Sequence, residues 1–207
     1  MELGEIVGGI KKALDKADAA REEALRITRE IVRLSGDAVK AIHRGDLEKA
    51  RRRLENARKL VEMLRESLKP YPMLYYSGYV QSAHQEFVEA TLLLAYREER
   101  EFPSPWELGI PEADYLLGLG DFIGELRRYF LLLLLRGEIG EAEGVYRFME
   151  ELYEELMTLE YPAGLVNIRT KQDQARHVLE RTLEDLTRAK LNKSLEEKLE
   201  AAMKDGL

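Results

Sequence analysis

Apolar residues recur at helical spacing along almost the whole chain, and six long helices follow from them. The spacing predicts a first helix over residues 4–43, with Ala20, Ala24, Ile27, Ile31, Leu34, Ala38 and Ile42 on one side. "HRGD" ends it: Gly45 suits a left-handed exit and Asp46 the next N-cap. A second helix, 47–68, carries Leu47, Ala50, Leu54, Ala57, Leu60, Val61 and Leu64, and Lys69-Pro70-Tyr71-Pro72 stops it. A third covers 73–98. Pro103 and Pro105 make 101–110 an irregular connection. Pro111 starts a fourth helix, 112–136, with Glu112 and Asp114 in its acidic first turn. A fifth spans 139–157 and a sixth 165–190, with a short tail helix after it. No long period-two alternation interrupts this pattern. The expected fold is all-α: one domain over 1–207, an elongated helical bundle of six to seven helices. Residues 87–95 and 126–135 are apolar on more than one face, which calls for cover from other subunits or from the bundle itself.

Composition narrows the class. Hydrophobic residues make up 45% and charged residues 34%, as in a folded globular chain. Cysteine is absent, which excludes disulfides and thiolate metal sites. Tyr129 to Leu135 is a run of seven apolar residues, far short of the roughly 20 that span a bilayer. "MELGEIVGGIKK" lacks the pattern of a signal peptide, so the expected location is cytoplasmic, with no membrane partner. A net charge of -7 argues mildly against nucleic-acid binding but leaves room for a local basic lining.

The chemistry-bearing residues are acids. In "HQEFVEATLLLAYREER", Glu86 and Glu89 share a face one turn apart, flanked by Phe87, Val88 and Ala90. In "DYLLGLGDFIGELRR", Asp114, Gly118, Asp121 and Glu125 form one stripe at intervals of four, three and four. Gly118 weakens a helix interior, so another helix or a ligand is expected to come close to it. Carboxylates gathered at one point repel unless a cation intervenes, and oxygen-only ligands suit magnesium or manganese. The ordinary alternative is that these acids, drawn from 39, face water or pair with arginines. No Walker motif, HExxH helix or dinucleotide fingerprint is present.

Four blocks in order carry a resemblance: "REEALRITREIVRLSGDAVKAIHRGD", "HQEFVEA", "DYLLGLGDFIGELRR" and "GLVNIRTKQDQARHVLERTLEDL". With them the chain resembles the translin superfamily, and within it the translin-associated factor X branch. That branch carries a Gln-Glu-aromatic-Val-Glu pattern, met by Gln85 to Glu89. Its Asp-Leu-Thr-Gly-Glu-Leu pattern is met by Asp121 to Leu126, with Phe122 and Ile123 substituted. The compact length is that of a prokaryotic or archaeal relative that assembles with itself.

The resemblance implies an all-helical fold, an octameric shell made as a homo-oligomer, and binding of single-stranded RNA and possibly single-stranded DNA. It further implies an endoribonuclease dependent on Mg2+ (or Mn2+), with Glu86, Glu89 and Asp121 as catalytic, metal-holding acids and Glu125 in support. Nucleic-acid contacts are expected from Arg21, Arg29, Arg33, Arg44, His84, Arg97 and Arg128. Tyr75, Tyr76 and Tyr79 either stack on bases or pack between helices, and the basic run Arg51 to Arg53 is expected on the exterior. The alternatives are a non-catalytic single-strand-binding oligomer of the same fold and a purely structural helical oligomer.

Overall fold

The computed structural model describes residues 2–205. Met1, Gly206 and Leu207, counted in the expected domain, lie outside the described residues. Every regular element among the described residues is helical. The chain divides into two compact units, Met1–Leu119 and Gly120–Leu207, and the division falls inside one helix.

In the first unit, α1 (Leu3–His43) and α2 (Leu47–Leu68) pack against each other, and α4 (Gly78–Arg97) packs on both. The α1–α2 turn follows from two residues. Gly45 adopts φ 82°, which lets its N–H reach Ile42 O and the Asp46 N–H reach Ala41 O, both at 2.9 Å. The Asp46 side chain then accepts a hydrogen bond from the Lys49 N–H and caps α2. The buried face of α1 is the expected one: Ala24, Ile27, Ile31, Leu34, Ala38 and Ile42 are all buried. Its opening turns are not: Leu3, Ile6, Val7, Ile10 and Leu14 are exposed.

Two boundaries differ from the pattern. The expected helix 73–98 is broken into α3 (Pro72–Tyr75) and α4, because Ser77 is extended at φ -79°, ψ 152°. The expected irregular connection 101–110 holds one helical turn, α5 (Pro105–Leu108), with Ser104 and Glu107 forming a capping box. Gly109 ends it at φ 67°, where a Cβ would stand 2.4 Å from Arg65 Nη1. The single turns bring the helices among the described residues to eight, against six or seven expected.

α6 (Glu112–Leu135) runs through the division. In the second unit, α7 (Ile139–Met157) packs against α8 (Ile168–Asp205). Gln172 of α8 is buried and donates from Nε2 to Leu156 O at 2.7 Å and Leu159 O at 3.0 Å. It thereby ties α8 to carbonyls in and just beyond the last turn of α7. The expected sixth helix, 165–190, and its tail are one helix: no Gly or Pro lies between Lys190 and Asp205 to stop it. Phe87, Val88, Ala90, Leu92 and Leu93 are already buried in the single chain, whereas Leu131 and Leu135 remain exposed on α6. No helix among the described residues is long and apolar enough to cross a membrane.

Candidate functional site

α4 turns Phe87, Val88 and Ala90 into the core of the first unit, so the same helical turn directs Glu86 outward and leaves Glu89 half-exposed. α6 meets α4 at this level. A Cβ on Gly118 would lie 2.8 Å from Val88 Cβ and 2.9 Å from the Gln85 carbonyl oxygen. The glycine expected to mark a close approach therefore marks helix on helix, beside the two glutamates.

Asp114 leaves the acidic stripe for another task. It is buried, and its Oδ2 lies 2.7 Å from His84 Nδ1 while its Oδ1 accepts from Gln81 Nε2 at 3.0 Å. The Tyr75 ring sits edge-on to His84 at 5.6 Å. Burial, with the Asp114 carboxylate adding to it, pushes the Tyr75 hydroxyl up to about 12. His84 itself is 0% exposed, which corrects the expectation that it touches nucleic acid: a side chain enclosed on all sides offers no surface to a polymer. Tyr79 likewise keeps its hydroxyl oxygen buried, in a packing position.

In the second unit, Asp121 Oδ1 is 2.5 Å from the Lys171 ammonium of α8. Arg127 donates to Thr182 Oγ1 at 2.9 Å and Asp185 Oδ2 at 2.8 Å. Glu125 lies 3.8 Å from Arg128. Between α6 and α8 runs a groove of about 490 Å3 whose lining includes Asp121, Gly124, Arg127, Gln174, His177 and Arg181.

Among the described residues no three His, Asp or Glu side chains are arranged as a metal-holding group. Asp121 already has a cation in Lys171. The donor chemistry nevertheless fits a hard cation. Glu86 and Glu89 supply two carboxylates from one helical turn, and magnesium usually meets a protein through one or two carboxylates plus waters and substrate phosphate.

The expected nucleic-acid arginines fall into distinct settings. Arg33 is bonded through two nitrogens to Glu30, at 2.8 and 2.5 Å, with Asp37 at 3.6 Å. Arg21 pairs with Glu22 at 2.7 Å. Arg97 is half-buried and donates to Ile42 O at 3.3 Å, which ties α4 to the end of α1. Arg29 and Arg44 are exposed with no ion-pair partner among the described residues. Sequence reasoning missed Lys171, Gln172 and the Asp114–His84 pairing. Only Lys171 left a signal, as a basic residue opening the amphipathic sixth helix.

The pattern of the Translin family matches residues 10–186, and the chain belongs to that family. An uncharacterized protein of Methanocaldococcus jannaschii is 38% identical over 175 residues, 84% of this chain and 78% of that protein. Among solved structures, AfC3PO in complex with duplex RNA is similar at a TM-score of 0.82 and 35% identity, covering 90% of this chain and 97% of that one. Apo-NeC3PO is similar at a TM-score of 0.81 and 28% identity, covering 88% and 96%.

Proposed function

We propose that the protein is a homo-oligomeric RNA-binding nuclease that cleaves single-stranded RNA with a divalent metal, magnesium or manganese. The observation that carries the reading is the Glu86–Glu89 pair, placed on one turn of α4 beside the α6 crossing, in a chain similar to AfC3PO, which was solved in complex with duplex RNA. The bound metal would supply a water of lowered pKa and polarise a phosphate oxygen. Glu86 and Glu89 would hold it, and Asp121 would join them once it leaves Lys171. Glu125 would keep its place near Arg128 in a supporting role. The exposed arginines, Arg29 and Arg44 first among them, would meet the phosphate backbone. Exposed Leu131 and Leu135 suit contacts between copies, and the resemblance makes eight the expected number.

The test is cleavage of end-labelled single-stranded RNA with magnesium, with EDTA, and with a Glu86→Gln/Glu89→Gln/Asp121→Asn variant of unchanged oligomeric size. Cleavage that needs both metal and acids supports the nuclease. The Asp121–Lys171 pair favours a second reading, a non-catalytic RNA- or DNA-binding oligomer, which binding without metal-dependent cleavage would support.

A further inference from the structure

We propose that Lys171 is the resident cation of Asp121 and competes with the divalent metal for that carboxylate, an inference that rests on Asp121 being a metal ligand as proposed above. Lys171 stands one turn inside the start of α8, and its ammonium reaches across to α6. The contact is built by packing. Residue 120 is a glycine, and a Cβ there would stand 2.7 Å from Lys171 Cβ, 3.0 Å from Cγ and 3.3 Å from Cδ. The lysine stem is thus laid along bare helix backbone, and its side chain is 17% exposed, against 31% for Asp121. A glycine inside a helix costs about 1 kcal/mol relative to alanine. Here that loss leaves room for the stem. The pair Lys69–Glu66 shows the ordinary alternative, with side chains 65% and 54% exposed on one helix.

Other basic side chains along the α6–α8 groove are differently placed. Arg127 is committed to Thr182 and Asp185, and His177 stands 3.5 Å from Glu180. Only the lysine ammonium is bonded to the Asp121 carboxylate among the described residues. An ammonium bonded to Oδ1 and a dication at the same carboxylate draw on one negative charge, so each weakens the carboxylate's hold on the other. Lys171 therefore keeps the Asp121 charge compensated in the free chain and opposes loading of the metal.

The experiment is calorimetric titration of the full chain with Mn2+ alone, for wild type, Lys171→Met, Gly120→Ala, Asp121→Asn and the Lys171→Met/Asp121→Asn double variant. Thermal melts and size measurements run beside it. Loss of a partly buried competing pair should tighten Mn2+ binding about five-fold in Lys171→Met. Gly120→Ala, which pushes the stem aside, should shift affinity the same way and stands in if Lys171→Met does not fold. Asp121→Asn should weaken binding and erase the gain in the double variant. Binding no tighter in Lys171→Met and Gly120→Ala, with Asp121→Asn still weakened, overturns the competition and leaves the metal reading standing. Unchanged binding in Asp121→Asn overturns Asp121 as a ligand and the competition with it.

Discussion

His84 Nδ1 and Asp114 Oδ2 lie 2.7 Å apart in the interior of the first unit, and this contact joins α4 to the first turn of α6. Asp114 is 6% exposed and has its second hydrogen bond from Gln81, so among the described residues both of its side-chain partners stand on α4. Removing the imidazole leaves a buried carboxylate with one neutral donor. His84→Ala should therefore lower stability by about 3 kcal/mol, read from urea unfolding at neutral pH. A change under about 1 kcal/mol would mean that water replaces the ring.

Two backbone positions predict opposite signs. Gly118→Ala puts a methyl group 2.8 Å from Val88 Cβ and 2.9 Å from a backbone oxygen of the neighbouring helix, which cannot swing away. Overpacking of that kind costs about 1–3 kcal/mol and outweighs the helix-propensity gain of about 1 kcal/mol. Glu99 ends α4 in a left-handed conformation at φ 53°, with the Arg100 N–H bonded to Ala95 O at 3.0 Å. A glycine there removes the steric penalty, so Glu99→Gly should stabilise by about 1 kcal/mol. Thermal melts of both variants check the pair, and a shift of the same sign in both would contradict it.

Tyrosine ionisation should be late and linked to stability. Burial and the Asp114 carboxylate raise Tyr75 to about 12. Burial and the hydrogen bond to Glu150 raise Tyr146 to about 12. The unfolded chain releases these protons near the ordinary value of about 10. Their contribution is thus complete below pH 10 and is lost between about pH 10 and 12, as unfolding begins to release protons. Absorbance at 295 nm should show tyrosines titrating late in the folded protein, and Tyr75→Phe should flatten the alkaline loss of stability. A Tyr75→Phe profile identical to wild type would contradict the assignment.

The helical plan was legible where one residue announces its backbone. Asp46 and Gly45 set the α1–α2 turn, and α2 runs from Leu47 to Leu68 as its apolar spacing requires. The break at Ser77 was not legible, because "MLYYSGYV" keeps apolar residues at helical spacing across it. The left-handed exit at Glu99 was hidden for a different reason: a glutamate carries no mark of positive φ. The glutamate pair of α4 could be read from the sequence because it lies within one turn. The partners of Asp114 and Asp121 could not, since His84 and Lys171 are 30 and 50 residues away along the chain and meet them only through helix packing.

The proposed RNA contacts can be sorted by what already neutralises each arginine. Arg29 and Arg33 stand one turn apart on α1, so a strand bound at one would pass close to the other. Arg33, however, is held by Glu30 through two nitrogens, and that hydrogen bond keeps the Glu30 carboxyl below its usual range. Its charge is spent locally, and a phosphate would have to break the pair. Arg29 has no such partner among the described residues. Arg29→Ala should therefore weaken RNA binding and reduce the slope of log affinity against log salt by about 0.7 per chain contact, as for the loss of one phosphate contact, with its counterion release, on a single strand. Arg33→Ala should move both by much less. Fluorescence anisotropy of labelled RNA across a salt series checks this, and equal losses in the two variants would show that Glu30 yields Arg33 on binding.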